Sequence, residues 1–399
     1  MAQAPPPSLR AALLVVHSPA AKPEPLTHLA ERILPVARRE IKEATGVEWE
    51  FVLPAPRQLD EAKTASVADF LSKAITAMSE GVLDLVVVLT DVPISGQDRT
   101  LVYGSWSRPA RMAVMSTHRL LQSSTGDEAR TLGDAKVVAN AAALFLHLVG
   151  HVIGLVHQWR RGDLMAPFRY DPERPAAPRF TDPERAKLKR KARKLPEEKV
   201  EAAGPLMSFV FHLVSALRNL GEVLLPVAKG RAFRIPLAMP SMLTAALVPT
   251  LVLVFTGEAW LVGLGISTRA VVAFALVTVV AGSLYLAVVQ NLFFPRKEKE
   301  TLTEHAAVVN TIVWLCMLEA LLGLFVLMAA FVWGLQHYLV PDTLLRQGTG
   351  SDTGIVVSGG DRVRLALFIS TLGTFTATLG GGLDRQAVAR HLALFSDRA

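Results

Sequence analysis

Residues 141–158 read AAALFLHLVGHVIGLVHQ and hold three of the chain's ten histidines, His147, His151 and His157. His147 and His151 are four positions apart. On a helix, at about 100° per residue, that spacing sets both rings on one face, one turn apart. Gly154 follows three positions after His151. A glycine there can take φ > 0, close the helix and turn the chain back. His157 then comes round towards the other two rings. A single histidine in an apolar helix is most often a hydrogen-bonded core residue. Three at these intervals favour a shared point, and three imidazoles with one position left open are the ligand set of a catalytic zinc site.

The pattern H-x-x-x-H-x-x-G-x-x-H resembles the long zinc motif of the metzincin metallopeptidases, HExxHxxGxxH. Downstream, residues 162–167 (GDLMAP) resemble the family's Met-turn, in which Met165 would lie beneath the metal. The resemblance implies Zn2+ as cofactor, held by His147, His151 and His157, with Gly154 and Met165 as structural residues of the site. One position departs from the family. Leu148 stands where the motif has its glutamate general base, and no residue between His147 and His157 is a carboxylate. Loss of a general base typically costs about 10²- to 10⁴-fold in rate. The expectation is therefore a zinc-binding pseudopeptidase, inactive or weakly active as an enzyme, that works as a binding or sensing module. Two alternatives stand beside it. One is an active membrane-bound zinc peptidase with a substitute base, for which Asp163, Glu128 and Asp134 are nearest in sequence. The other is a transporter or channel carrying the front domain as an accessory.

Upstream of the motif the chain alternates between strand and helix patterns. Residues 1–10 read as a disordered lead. Residues 11–16 (AALLVV) form a short continuous apolar run, as a buried strand does. Residues 25–45 carry a helical apolar face ended by Gly46. Residues 47–53 alternate as a strand, and 65–79 read as an amphipathic helix. Residues 82–89 (VLDLVVVL) give the strongest strand signal, and 100–106 and 111–116 follow as further strands. The histidine helix is expected from about Asp134 to Val152. This order is similar to the metzincin upper subdomain, an α/β (α+β) mixed sheet with backing helices and a zinc-site helix, here spanning 11–180. In that family an edge strand above the metal pairs with extended substrate. Leu101, Val102, Tyr103 and Gly104 are the candidates, and the implied ligand is a peptide or protein segment in that cleft.

The second half differs in kind. Of 399 residues 51% are hydrophobic, and the excess lies after residue 205 in long uncharged runs. Thr181-Asp182-Pro183-Glu184 reads as a capping box opening a charged helical linker over 181–204. Residues 205–230 read as one amphipathic helix suited to a membrane surface, with Arg218, Asn219 and Glu222 on its polar side. An all-α transmembrane domain is expected over 238–383, with about four spans near 239–255, 271–293, 307–333 and 365–379. A cytoplasmic tail over 384–399 follows. The lipid bilayer is thus the expected partner, and multi-pass integral membrane the expected location.

Charge supports that reading. The net charge of +7 is concentrated at 187–194, just before the membrane region, and at Lys229, Arg231, Arg234, Arg296, Lys297, Lys299, Arg385 and Arg390. This reads as topology rather than nucleic-acid binding, and places both the N-terminal domain and the C-terminus in the cytoplasm. The N-terminus lacks the pattern of a signal peptide. One cysteine, Cys316, permits no internal disulfide. Glu319, inside the third span, is the polar residue of note there, because a charge in that setting is costly and often functional. Gly373 and Gly380 to Gly382 are suited to close helix approach.

Overall fold

The computed structural model describes residues 8–60, 65–81, 83–95, 100–122, 130–159, 163–193, 195, 199–200, 204–230, 232–238, 240–293, 302–341, 343–344 and 358–380. These residues form two compact units, one mainly of residues 1–222 and one mainly of 223–295 with 310–393.

The first unit is built on a mixed sheet. Its strands are β1 (Ser8–His17), β2 (Glu48–Val52), β3 (Leu85–Thr90), β4 (Gly104–Ser107) and β5 (Met112–Ser116). Their order is β2-β1-β3-β5-β4, with Arg57–Gln58 adding a short sixth strand beside β1. All pairings along this path are parallel except β4 with β5, so the β4 end of the sheet is antiparallel. In β1 and β3 apolar residues fill both faces. Ala11 to Val16 and Leu85 to Leu89 are all buried, which is the pattern of strands covered on two sides.

Helix α1 (Glu24–Thr45) and helix α3 (Ala135–Ile153) cover one face. Leu29, Ile33 and Ile41 of α1 meet Leu13, Val15, Val87 and Met115 of the sheet and Leu144, Phe145 and Val149 of α3 in one core. Gly46 closes α1 in the left-handed conformation, φ 66°, and its N–H bonds the Lys42 carbonyl. Helix α2 (Leu71–Gly81) packs against β3. Helix α3 is long and apolar enough to cross a membrane, yet 89% of its apolar window is buried inside this unit. Its hydrophobicity supplies the core.

Several sequence expectations differ from the structure. The disordered lead was set at 1–10, but β1 already begins at Ser8, because Arg10 is held there by Asp84, Glu50 and the Gly81 carbonyl; residues 1–7 lie outside the described residues. The helix expected at 65–79 opens as a two-residue strand and a 3-10 turn, and α2 begins only at Leu71. The charged helix α4 (Asp182–Ala192), expected as a solvated linker, is docked on α1. Leu188 and Ala192 are buried in the shared core. Beside them Glu40 of α1, 4% exposed, accepts from the Phe180 N–H at 2.8 Å and from Arg185 Nη2 at 2.9 and 2.8 Å. The Thr181 N–H donates to Glu184 at 2.8 Å, as the capping pattern requires. The helix expected over 205–230 is two, α5 (Gly204–Arg218) and α6 (Leu220–Gly230), parted at Asn219.

The second unit is helical. Helix α7 (Pro240–Val254) is followed by α8 (Gly257–Gly265) at a bend of 89°. The first expected span, 239–255, is therefore one arm of a bent pair; its 15 residues are short for a ~30 Å hydrocarbon core. Helices α9 (Thr268–Val289), α10 (Glu304–Tyr338) and α11 (Gly359–Gly380) are each long and apolar enough to cross a membrane. Their outward residues are apolar, among them Leu276, Val277 and Val326, while Thr278, Ser283, Thr371 and Thr374 are buried. Such an inverted distribution suits lipid as solvent. Gly373 lets α11 approach α7, since a Cβ there would collide with Thr250 Oγ1. Gly381, Gly382 and the tail over 384–399 lie outside the described residues. So do Arg231, Arg296, Lys297, Lys299, Arg385 and Arg390, on which the orientation was argued.

Removing Glu40 strands the buried Phe180 N–H and takes from Arg185 its closest carboxylate, leaving Glu43 at 3.7 Å. Glu40→Ala is expected to destabilise the first unit by about 3 kcal/mol, the scale of breaking a buried ion pair, read as a lowered midpoint in thermal or chemical denaturation.

Candidate metal centre

Helix α3 positions two of the three rings and its C-terminus positions the third. Gly154 ends the helix at φ 107°, and its N–H reaches back to the carbonyls of Gly150 and His151. The chain then reverses, and His157 returns to the face that carries His147 and His151. His151 Nε2 lies 3.1 Å from His147 Nε2 and 3.1 Å from His157 Nε2. One ligand atom from each ring falls within 4.8 Å of the others.

Tautomers decide what this cluster is. His147 Nδ1 lies 2.8 Å from the Leu164 carbonyl and His151 Nδ1 lies 3.0 Å from the Leu155 carbonyl. A carbonyl only accepts, so each Nδ1 carries the proton and each Nε2 presents a lone pair. Two lone pairs 3.1 Å apart repel rather than bond. A cation between them removes the conflict, and the outer hydrogen bonds are those that orient histidine ligands. Burial is the main cause that pushes His147 down to about 4, against the bond to Leu164, with the nearness of His157 and Arg174 adding to the fall. Burial likewise pushes His151 down to about 2, with His147 contributing. Both rings are therefore neutral near pH 7, as a metal ligand must be. The buried His147–His151–His157 group is compatible with zinc.

The turn over 163–166 supports the rings from below. It closes with an Ala166 N–H to Asp163 carbonyl bond of 3.1 Å. The Leu164 carbonyl holds His147, and the Met165 carbonyl accepts the Gln158 N–H at 2.9 Å, one residue after His157. Met165 is fully buried under Gly150, where a Cβ would lie 2.7 Å from its sulfur. Gly150, between the first two histidines, was not singled out from sequence; its signal was a glycine inside an otherwise apolar helix. Gly162 lies outside the described residues.

Leu148 points away from solvent and is fully buried. Its side chain fills the space beside Gly104, where a Cβ would come within 2.8 Å of Leu148 Cδ1. The candidate edge residues divide between two small ladders. Leu101 and Val102 pair with Ile94–Ser95, whereas Gly104 opens β4 at the rim of the main sheet. Tyr103 sits between them, its carbonyl accepting the Ser116 N–H. Trp106 of β4, not assigned a role from sequence, stacks on His151 with centroids 3.8 Å apart and planes 7° from parallel. Asp134, at the N-cap position of α3, makes no side-chain cap bond to the helix and accepts instead from the Thr131 N–H and hydroxyl, about 20 Å along the helix from His147 by its rise per residue. Glu128 lies outside the described residues. Glu319 belongs to the second unit, on α10, where its carboxylate meets the Phe233 N–H.

No family model and no curated protein matches this chain. Among solved structures it is similar to a zinc-dependent peptidase from Methanocorpusculum labreanum, with 16% identity, 44% of this chain and 99% of that chain covered, and a TM-score of 0.33. It is also similar to an archaemetzincin from Methanopyrus kandleri, with 18% identity, 46% and 96% covered, and a TM-score of 0.31.

Two outcomes are expected. Gly150→Ala overpacks Met165 and should cost about 1–3 kcal/mol, with weaker metal retention in a chelator competition. In metal-free protein, the folded His147 and His151 values lie below the ordinary 6.5. The unfolded chain then takes up protons first. Stability from these rings is complete above about pH 6.5 and declines as the pH falls towards 4, which melting curves across that window should record.

Proposed function

We propose that this chain is a membrane-associated, metallopeptidase-like protein whose first unit holds zinc through His147, His151 and His157 and binds an extended peptide or protein segment without cutting it efficiently. The observation that carries the proposal is the meeting of three imidazole nitrogens beside Leu148, a side chain that neither accepts nor passes a proton. Zinc at these nitrogens would supply Lewis acidity towards a carbonyl group. The chain's own residues do the rest. Leu164 and Leu155 carbonyls fix the rings, Trp106 holds His151 in place, and an extended segment would lie at the rim of the site beside half-buried Trp106.

Among the described residues no carboxylate is a leading influence on His147 or His151; the neighbours that act on them are histidines and Arg174. That argues against a substitute base and favours a binding or sensing role over catalysis. Helices α9 to α11 would anchor the chain in the bilayer. Helix α5, with Met207, Val210, Leu213, Val214 and Leu217 exposed, has the apolar face of a helix lying on a membrane surface. The cytoplasmic placement of both ends remains part of this proposal, on the strength of the basic loops.

The test is metal analysis and peptide cleavage on the purified full chain. Wild type should carry about one zinc per chain through its three-histidine set, His151→Ala should lose it, and cleavage by both should stay at background. Leu148→Glu should raise zinc-dependent cleavage by about 10²-fold or more. Zinc-dependent cleavage by wild type that Leu148→Glu leaves unchanged would overturn the proposal.

A further inference from the structure

Helix α4 reaches the C-terminal ends of two other helices. Among the described glycines, Gly46, which closes α1, and Gly154, which closes α3, have positive φ. Each lies beside a lysine of α4. A Cβ on Gly46 would stand 3.6 Å from Lys189 Cε, and one on Gly154 would stand 3.0 Å from Lys191 Nζ. The last carbonyls of a helix carry its partial negative charge and lack partners within the helix, so a cation is favourable there. The two lysines are not equivalent. Lys187, Lys189 and Arg190 are exposed, whereas Lys191 is half-buried and its ammonium group donates to the Gly154 carbonyl.

The surroundings make this contact part of a closed support. Ala192, the next residue, is fully buried in the core that includes Val149 and Val152 of α3. The turn between β4 and β5 also meets Gly154, where a Cβ would lie 3.1 Å from Arg108 Cζ. That turn closes with an Arg111 N–H to Arg108 carbonyl bond of 3.1 Å, and Arg111 Nη1 donates to the Leu195 carbonyl, just past α4, at 3.2 Å. Gly154 is thus bounded by Arg108 and Lys191, from two elements that are themselves tied together.

What this support holds is the path to His157. Two residues separate Gly154 from His157. Beyond His157 the path is fixed by the Gln158 N–H on the Met165 carbonyl at 2.9 Å. Before it, the Leu155 N–H bonds the Gly150 carbonyl at 2.8 Å and Lys191 holds the Gly154 carbonyl. Val156, between these points, is 71% exposed and gives the loop no buried anchor. A rotation of the Gly154–Leu155 peptide would carry His157 away from the other two rings. The leading neighbours that bear on His147 and His151 are histidines and Arg174, so Lys191 works through the backbone rather than through its field. We infer that Lys191 is a positioning residue of the metal centre, holding through the Gly154 carbonyl the reversal that brings His157 to His147 and His151. Metal retention then depends on the docking of α4. The inference rests on the reading of the three histidines as a zinc site.

The test measures zinc affinity of the purified full chain by competition with a fluorescent chelator, and records the visible spectrum with Co2+ in place of zinc. Wild type is compared with Lys191→Met, Lys191→Arg, Lys187→Met, His157→Ala and the double variant Lys191→Met/His157→Ala. Lys191→Met should weaken zinc binding about 10- to 100-fold, the scale of a hydrogen bond to a charged group, and its Co2+ bands should shift towards those of His157→Ala. Lys191→Arg should recover part of the affinity. Lys187→Met, which removes an exposed lysine one turn earlier, should leave it unchanged. In the His157→Ala background Lys191→Met should change affinity by no more than about twofold, the usual scatter of additivity. Should Lys191→Met fail to fold, Lys191→Gln takes its place with the same expectations. Wild-type zinc affinity in Lys191→Met, or an equal loss in the His157→Ala background, would overturn this inference and leave the zinc reading standing. A wild type that binds no zinc would remove both.

Discussion

Two hydrogen bonds, from His147 Nδ1 to the Leu164 carbonyl and from His151 Nδ1 to the Leu155 carbonyl, fix the chemistry of this protein's first unit. They choose the tautomer, and the tautomer turns both Nε2 lone pairs towards one point. Two local features put those carbonyls in place. The Leu155 carbonyl is delivered by the Gly154 reversal, and the Leu164 carbonyl by a turn whose methionine is seated under Gly150. The sheet contributes indirectly. Its covered face presses α1 against α3, which leaves the opposite side of α3 free to carry the rings and, two turns away, Asn140.

Much of this was legible in the sequence because it follows from spacing. A step of four positions between histidines and a glycine three positions on define a face and a reversal without any tertiary information. The central strands were legible because strands buried on both sides need uninterrupted apolar runs. Charged helix α4 was misread for a physical reason. Its buried contacts are few, Leu188, Ala192 and the bond from Arg185 to a distant Glu40, and such a narrow strip leaves no periodic signal in a lysine-rich segment. The break at Tyr103 between two short ladders was equally hidden, since β-alternation continues across it. Arg174 and Trp106 could not be placed from sequence at all; both reach the site by tertiary packing rather than by a motif.

Leu148 does more than put a side chain that cannot titrate next to His147. Leu148 is inside the core and fills the gap beside Gly104, so it also knits the histidine helix to the sheet edge. A carboxylate in the same place would face apolar neighbours and need a polar outlet. The second unit shows the converse economy: hydroxyls are kept inside, and leucine and valine are turned outward. The same side-chain alphabet is thus arranged in opposite ways in the two units, and the 89° bend between α7 and α8 shows that span length cannot be taken from apolar run length alone.

The stack of Trp106 on His151, 3.8 Å between centroids, has a thermodynamic corollary. An imidazole clamped between an indole and its own helix has already surrendered its rotational freedom when the chain folds. A ring left loose would give up that freedom only on meeting its cation, at a cost of order 1 kcal/mol. Here that cost is charged to the assembly of the sheet edge. Affinity at the histidines is consequently tied to how firmly β4 adheres to β5, and whatever loosens that rim slackens the grip on the ion as well.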